Sequence, residues 1–288
     1  MQLLKSNLLK LGIFPRHIFR KNSKRLLKVD DFEIDKLQFA HDVYRTIFNG
    51  NYSSPVTELL QEGAKVLDFR CGPGTWSCEM ASDFKNSFFY GVDSISCFPV
   101  QKPLNVEFIK SKALNDKIPF ENDFFDFIFV HSTILWYSSD QWEEFVIPEL
   151  IRVLKPGGYL EIMEAELKLH GEGPETPIMT KHIEKFRASL RSHKINPYLI
   201  LKLPQILKST NQMINIQKDV RKCPVGNWDY KLGECGAKLA ISIILQSLIT
   251  TKLLRKKDYD DIYKKIVIEV NKVESYFCKH RTWAMKVS

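Results

Sequence analysis

The pattern of hydrophobic and polar positions changes period repeatedly between residues 65 and 163. Short apolar runs are typical of buried strands, whereas apolar residues three or four apart are typical of amphipathic helices. Strands are predicted at 65–69, 88–93, 106–109, 125–131 and 159–163, with helices at 75–82 and 140–154. This alternation predicts an α/β fold with a mostly parallel sheet and helices on both faces.

In the segments before and after this region, the predicted strands and helices do not alternate regularly. Before the first strand, helices are predicted at 34–48 and 55–60, the second with Ser54 as its cap and Pro55 in the first helical position. After residue 166, helices are predicted at 178–192, 233–250 and 258–277, and strands at 213–220 and 279–287. The apolar stretch 239–248 is shorter than the ~20 residues that cross a bilayer. It therefore predicts a buried helix, and no membrane span is expected.

Charge is distributed unevenly along the chain. The net charge is +8, but residues 1–29 contain eight Lys/Arg and no acid, so the other residues carry 34 basic and 34 acidic side chains. A neutral body argues against a duplex-DNA-binding protein, which needs a basic surface. The basic, acid-free leader 1–29 is predicted to be disordered. Its composition also suits a mitochondrial transit peptide, which is the alternative to a cytoplasmic protein.

The six cysteines are spaced too irregularly to indicate a metal centre. They are Cys71, Cys78, Cys97, Cys223, Cys235 and Cys278, and none forms a Cys-x-x-Cys pair. A zinc ribbon is therefore not expected, and no metal is predicted. Without a secretory signal pattern, reduced thiols in an intracellular protein are expected.

The most informative motif follows the first predicted strand. Asp68 ends that strand, and a turn containing Gly72 and Gly74 leads into a helix. Ligands of open α/β sheets bind at this carboxyl edge. A carboxylate before the glycines repels a phosphate but attracts a cation. The arrangement favours S-adenosylmethionine, which carries an ammonium and a sulfonium and no phosphate. Asp93 ends the second strand, where a carboxylate can accept both hydroxyl hydrogens of a ribose.

These motifs, together with others along the chain, resemble the class I S-adenosylmethionine-dependent methyltransferases, and in particular a fungal branch of that superfamily. The resemblance covers about residues 32–288. The segments that carry it are 50–56, 66–80, 91–93, 119–126, 152–161, 224–228 and 232–234. It implies a Rossmann-like seven-stranded sheet with the last strand antiparallel, and a helical cap. The predicted domains are the leader 1–29 and a methyltransferase domain 30–288, with its core at about 55–166 and the cap and last strands at 167–288.

The resemblance also implies roles for individual residues. Asp68 and the turn would hold the methionine part of the cofactor, Asp93 the ribose, and the backbone near Ala113 the adenine. His131, at the end of the fourth strand, would face the methyl group or the acceptor. The predicted cofactor-binding residues are Asp68, Arg70, Cys71, Gly72, Gly74, Asp93, Ser94, Ala113 and His131.

Two residues depart from the family pattern. Arg70 stands where the family has its first motif glycine, and could pair with Asp68 or with the cofactor's carboxylate. Lys112 stands where an Asp or Asn usually accepts a hydrogen bond from the adenine amine, which a lysine cannot do. These departures leave open a non-catalytic methyltransferase-like protein with a degraded cofactor site. A nicotinamide-dependent oxidoreductase is disfavoured by Asp68 and by Ser77 in place of a third glycine.

The catalytic residues and the acceptor are less well defined by the sequence. His131 is a weak candidate for a general base, because methyl transfer can proceed by positioning alone. Cys71 is predicted to fill tight space rather than act as a nucleophile. The aromatics Tyr44, Tyr52, Trp76 and Trp136 could line a pocket or belong to the core. The predicted activity is methyl transfer to a small molecule, with protein or RNA acceptors left open.

Overall fold

The computed structural model describes residues 31–94, 96–111, 117–171 and 173–288. The leader 1–29, Lys112 and Ala113 lie outside the described residues, so the predictions made for them stay predictions.

Seven strands form one sheet in the order β3-β2-β1-β4-β5-β7-β6. Strands β1 to β5 pair in parallel, and β7 runs antiparallel to both β5 and β6. This confirms the predicted Rossmann-like sheet with its last strand antiparallel. The strands are β1 (Lys65–Phe69), β2 (Phe88–Asp93), β3 (Val106–Lys110), β4 (Phe125–His131), β5 (Leu154–Ala165), β6 (Met213–Pro224) and β7 (Tyr276–Lys286).

Helices pack on both faces of the sheet, and a further group of helices packs together as a cap. A capping box between Ser138 and Gln141 begins α4, and a π-helical segment, Trp142–Val146, joins it to α5. The helices are α1 (Asp31–Phe48), α2 (Thr57–Glu62), α3 (Thr75–Asp83), α4 (Ser139–Gln141), α5 (Ile147–Val153), α6 (Pro177–Ser192), α7 (Leu199–Ser209), α8 (Tyr230–Thr250) and α9 (Tyr259–Val270).

The core has three parts because successive strand residues point to opposite faces. Leu67 and Ile128 belong to the cluster on one face, whereas their neighbours Val66 and Phe127 belong to the cluster on the other. A third cluster joins α6, α8 and α9 and forms the interior of the cap. The central strands are therefore buried on both sides, as their continuous apolar runs predict.

Several local predictions were wrong. Ser54 does not cap α2, which begins at Thr57 without a side-chain cap; its hydroxyl instead bonds Glu161. Residues 155–158, which separate the helix predicted at 140–154 from the strand predicted at 159–163, belong to β5. The pairing of β5 with β4 shifts within this segment, from Phe125–Leu154 to Phe127–Tyr159. Helix α7 was not predicted. The last predicted helix ends at Val270 rather than at residue 277.

Helix α8 contains the most apolar segment of the cap. By length and composition, Lys231–Thr250 alone among the described residues could cross a membrane. However, 61% of its most apolar window is buried inside the protein. The prediction of a buried core helix agrees with this packing.

Candidate functional site

The turn between β1 and α3 is held in a shape that favours glycine. Arg70, Gly72 and Gly74 have φ of 61°, 55° and 73°, in the left-handed region. The backbone N–H groups of Arg70 and Cys71 donate to the carbonyl of Val92, at 2.8 and 3.2 Å. These bonds fix the turn to the end of β2, so the ends of both strands border one site.

Position 74 requires a glycine for two reasons: its φ is left-handed, and a neighbouring side chain lies too close for a Cβ. A Cβ at this position would lie 2.2 Å from the ring of Phe108 in β3, and one at Gly91 would lie 2.5 Å from the same ring. The two glycines therefore allow Phe108 to pack directly against the turn.

Asp68 is a fully buried carboxylate with only part of its hydrogen-bonding capacity used. Its Oδ2 accepts a bond from the Ser77 hydroxyl at 2.6 Å, whereas its buried Oδ1 has no hydrogen-bond partner. The Nε2 of His131 lies 3.8 Å from Oδ1, too far for a hydrogen bond. Burial raises the pKa of Asp68 to about 7.

His131 ends β4 beside this carboxylate. Its ring stacks on Phe129, its side chain is 22% exposed, and its Nε2 is buried without a hydrogen-bond partner. Burial lowers the pKa of His131 to about 3, assisted by the positive charges of His41, Lys279 and Arg281. The imidazole is therefore neutral at physiological pH.

Asp93 closes the other side of the turn. Its Oδ2 accepts a bond from the Gly72 N–H at 3.0 Å, and its Oδ1 accepts one from the Ser94 hydroxyl at 3.4 Å. The guanidinium of Arg70 approaches the same carboxylate, with Nη2 4.0 Å from Oδ1. The structure thus brings Asp68, Arg70, Cys71, Gly72, Gly74, Asp93, Ser94 and His131 to one edge of the sheet.

Arg70 is nearly buried and stacked. Its Cζ lies 3.5 Å from the ring centroid of Trp136, and Nη2 donates to the Ser94 hydroxyl at 3.5 Å. The ion pair that Arg70 makes among the described residues is with Asp93 rather than with Asp68, and pairing with the cofactor's carboxylate stays a prediction. Cys71 is 2% exposed and burial raises its pKa, so it is a space-filling thiol rather than an activated one.

Helix α1 lies over the glycine turn, which sequence periodicity alone does not reveal. Leu37 Cδ1 would be 3.8 Å from a Cβ at Gly72. The His41 Nε2 contacts Glu79 Oε2 at 2.5 Å, and Arg45 also pairs with Glu79. Trp76 is a core residue, since it is 2% exposed and stacks on Phe129 at 4.3 Å.

Strands β5 and β7 bring together buried charges that the sequence analysis missed. Glu161 accepts bonds from the Ser53 and Ser54 N–H groups and from the Ser54 hydroxyl, and its Oε1 lies 3.5 Å from Arg281 Nε. Glu164 accepts bonds from the N–H groups of Thr133 and Ile134, just after His131. The acids of β5 and the bases of β7 are visible in the sequence, but only antiparallel pairing makes them neighbours.

One group of potential metal ligands occurs among the described residues. Donor atoms of Glu166, His170 and Cys278 lie within 4.8 Å of one another. The ring of His170 is stacked on Tyr276 at a centroid distance of 4.7 Å. The absence of a metal centre stays a prediction.

The fold and this site define a class of protein. Residues 66–158 match the family model described as a methyltransferase domain. This match, the strand order and the acidic residue before the glycine turn identify residues 66–158 as a methyltransferase domain within a Rossmann-like fold.

Particular relatives are distant. The chain is 23% identical over 203 residues to the secondary metabolism regulator LAE1 of Cochliobolus heterostrophus, covering 69% of this chain and 65% of that protein. It is 26% identical over 152 residues to the secondary metabolism regulator laeA of Monascus pilosus, covering 53% and 40%. The alignments therefore span less than two thirds of either relative's length.

A solved structure with the same fold is more distant still in sequence. It is a chain in a complex containing the Haloferax volcanii Trm112 methyltransferase activator. The TM-score is 0.51 at 12% identity, over 91% of this chain and all of that one. This similarity concerns the fold alone.

Proposed function

We propose that the chain binds S-adenosylmethionine at the edge formed by Asp68, the glycine turn and Asp93, and transfers its methyl group to an acceptor. The observation that carries the proposal is the unpartnered Oδ1 of Asp68. A buried carboxylate oxygen without a hydrogen bond is costly to keep. The ammonium of the cofactor's methionine part would supply the missing donor and counter-charge.

The other residues of the edge fit the rest of the cofactor. The left-handed glycines keep the turn free of side chains at Gly72 and Gly74. Asp93 is already oriented by the Gly72 N–H, and its carboxylate can accept hydroxyl hydrogens from a ribose. When bound, the cofactor supplies an activated methyl group on a sulfonium. The chain's own residues hold it, orient it and exclude water from it.

His131 is proposed to face the acceptor. Its neutral imidazole and unpartnered Nε2 can take a proton from an acceptor hydroxyl or amine. Because positioning can supply most of the rate, we propose that His131 assists the reaction rather than controls it. A small-molecule acceptor is proposed, and protein or RNA methylation are the other outcomes of an activity screen.

Calorimetric titration with S-adenosylhomocysteine, the demethylated product, tests the proposed cofactor site. Binding with one site per chain supports it. No heat of binding at millimolar ligand, with a chain shown to be folded by its circular dichroism, would remove the proposed activity.

Arg70 favours a second candidate, a methyltransferase-like protein without catalysis. Its guanidinium lies against the Asp93 carboxylate proposed for the ribose, and two relatives are named secondary metabolism regulators. The variant Arg70→Gly separates the two candidates. Unchanged or weaker binding of S-adenosylhomocysteine supports the enzyme, whereas a gain of tenfold or more would show that Arg70 obstructs the site.

A further inference from the structure

A second feature of the molecule is a cavity of about 70 Å³ between the β5–β7 pair and the cap helices. Helices α6 and α8 supply most of its wall, and the strands supply its floor. Its apolar lining includes Leu167, Ile183, Phe186, Leu239, Ile243 and Phe277. A cavity of this size and lining suits a small apolar ligand body, smaller than the benzene that a cavity of about 150 Å³ admits.

One charged group lines this apolar cavity. Lys279 is 3% exposed, and its Nζ lies 3.8 Å from the ring centroid of Tyr44. Its ammonium forms no hydrogen bond or ion pair with any residue in the described part of the chain. Burial lowers the pKa of Lys279, and the attraction of Glu164 only partly opposes this effect.

The contrast with Arg281 shows what Lys279 lacks. Arg281 lies two residues further along β7, so both side chains leave the same face of the strand. Arg281 is paired with Glu161 and donates to the carbonyl of Gly50 at 2.8 Å. The carboxylate of Glu164 attracts Lys279 but makes no ion pair with it within 4.0 Å, and its Oε1 accepts hydrogen bonds from the N–H groups of Thr133 and Ile134 after β4. Buried charges are normally paired, so a ligand is expected to supply the missing anion.

The cavity adjoins the proposed methyl-transfer site. Tyr44 comes from α1, the helix that covers the glycine turn through Leu37. In the sheet register, His131 of β4 pairs with Met163 of β5, and Lys279 of β7 pairs with Ala165, two residues further along β5. A molecule lying in the cavity with its acidic end at Lys279 is therefore close to the end of β4.

We infer that the methyl acceptor is a small, largely apolar organic acid, held by the cap residues and by an ion pair between its anionic group and Lys279. This inference rests on the proposed methyltransferase function and names its class of substrate. The ammonium of Lys279 lies over the face of the Tyr44 ring, and this cation–π contact already positions it.

Two probes that differ only in charge test the inference. Binding of isobutyrate and of the neutral isobutyramide is measured by calorimetry, with saturating S-adenosylhomocysteine present. We expect the acid to bind at least tenfold more tightly than the amide. Lys279→Met should remove that preference and leave amide binding within twofold. The matched control is Lys222→Met, which removes an exposed lysine 4.4 Å from the Tyr276 ring and should change neither probe.

A third variant tests the cavity without changing Lys279, so its result does not depend on whether Lys279→Met folds normally. Ala240→Phe fills the cavity from α8 and should weaken the binding of both probes at least tenfold. Its affinity for S-adenosylhomocysteine should stay within twofold of that of the unmodified chain. Equal binding of the acid and the amide to the unmodified chain would overturn the inference, as would an unchanged preference in Lys279→Met. Loss of S-adenosylhomocysteine binding by the unmodified chain, measured separately, would instead overturn the proposed function.

Discussion

Two buried carboxylates on the same sheet, Asp68 in β1 and Glu161 in β5, are each 0% exposed but differ in their partners. Asp68 has one hydrogen bond, from Ser77, and an oxygen without any. Glu161 is surrounded by backbone and hydroxyl donors and by a guanidinium.

The difference separates a structural acid, Glu161, from Asp68, the acid that we propose binds the cofactor. A buried charge that is fully paired contributes to a single packed arrangement, and removing one partner leaves the other uncompensated. A buried charge that is only partly paired costs stability unless a ligand completes it. We therefore expect Glu161 variants to unfold the protein and Asp68 variants to lose the cofactor.

The largest effect is expected for Glu161→Gln. It leaves the buried guanidinium of Arg281 without its counter-charge, so the free energy of unfolding should fall by about 3–5 kcal/mol. Urea denaturation followed by circular dichroism measures this. Folded protein should still bind S-adenosylhomocysteine within twofold of the unmodified chain. A loss below about 1 kcal/mol would contradict the structural role.

Asp68→Asn should show the opposite pattern. We expect the binding of S-adenosylhomocysteine to weaken at least 100-fold, or about 2.7 kcal/mol, because the amide cannot replace the charge of the carboxylate. The pKa of Asp68 is about 7 when folded, against an ordinary 3.8. The folded state therefore holds an extra proton between those values, and stability falls as the pH rises through that range.

The stability of Asp68→Asn provides a second readout. At pH 8 the buried Asp68 is ionised and costs stability, whereas asparagine cannot ionise. The melting temperature of the variant at this pH should therefore equal or exceed that of the unmodified chain. The exposed Asp261→Asn is the matched control and should change neither binding nor melting. If Asp68→Asn were less stable but bound S-adenosylhomocysteine normally, Asp68 would have the structural role assigned to Glu161, and the comparison would be contradicted.

The pH dependence of binding is the next effect in size. Since the ionised carboxylate is needed to pair with the ligand's ammonium, the dissociation constant for S-adenosylhomocysteine should rise about tenfold between pH 8 and pH 6. His131 does not add to this change, because its pKa of about 3 keeps it neutral throughout. Calorimetry at several pH values measures the profile, and Asp68→Asn should flatten it.

The smallest effect is expected for Ser77→Ala. The Ser77 hydroxyl stabilises the ionised form of Asp68, so its loss should move the midpoint of the binding profile to higher pH. At pH 8 the loss in affinity should be only a few-fold. Ser82→Ala, on the same helix with its hydroxyl bonded to a backbone carbonyl, is the control. A midpoint that stays in place would show that Ser77 does not set the pKa.

The edge of the sheet that we propose binds the cofactor was largely predictable from the sequence. The predicted bounds of β1, β2 and β4 agree with the structure because their burial comes from continuous apolar runs. The turn with Gly72 and Gly74 follows from local backbone chemistry. These signals are local, so a single sequence carries them.

The other edge depends on contacts between distant residues. Helix α7 contains Pro204, which argues against a helix locally, yet Leu203 and Leu207 pack into the core and compensate for the missing bond. Strand β7 begins at Tyr276 because it pairs with β6 and with His170. The partners of Glu161 come from residues over 100 positions away, which periodicity does not reveal.

The most direct measurement is the distance between the amine nitrogen of bound S-adenosylhomocysteine and the Oδ1 of Asp68 in a crystal structure of the complex. We predict about 2.7–2.9 Å, the length of a charge-assisted hydrogen bond. A ligand bound elsewhere, or an Oδ1 still without a donor in the complex, would contradict the account.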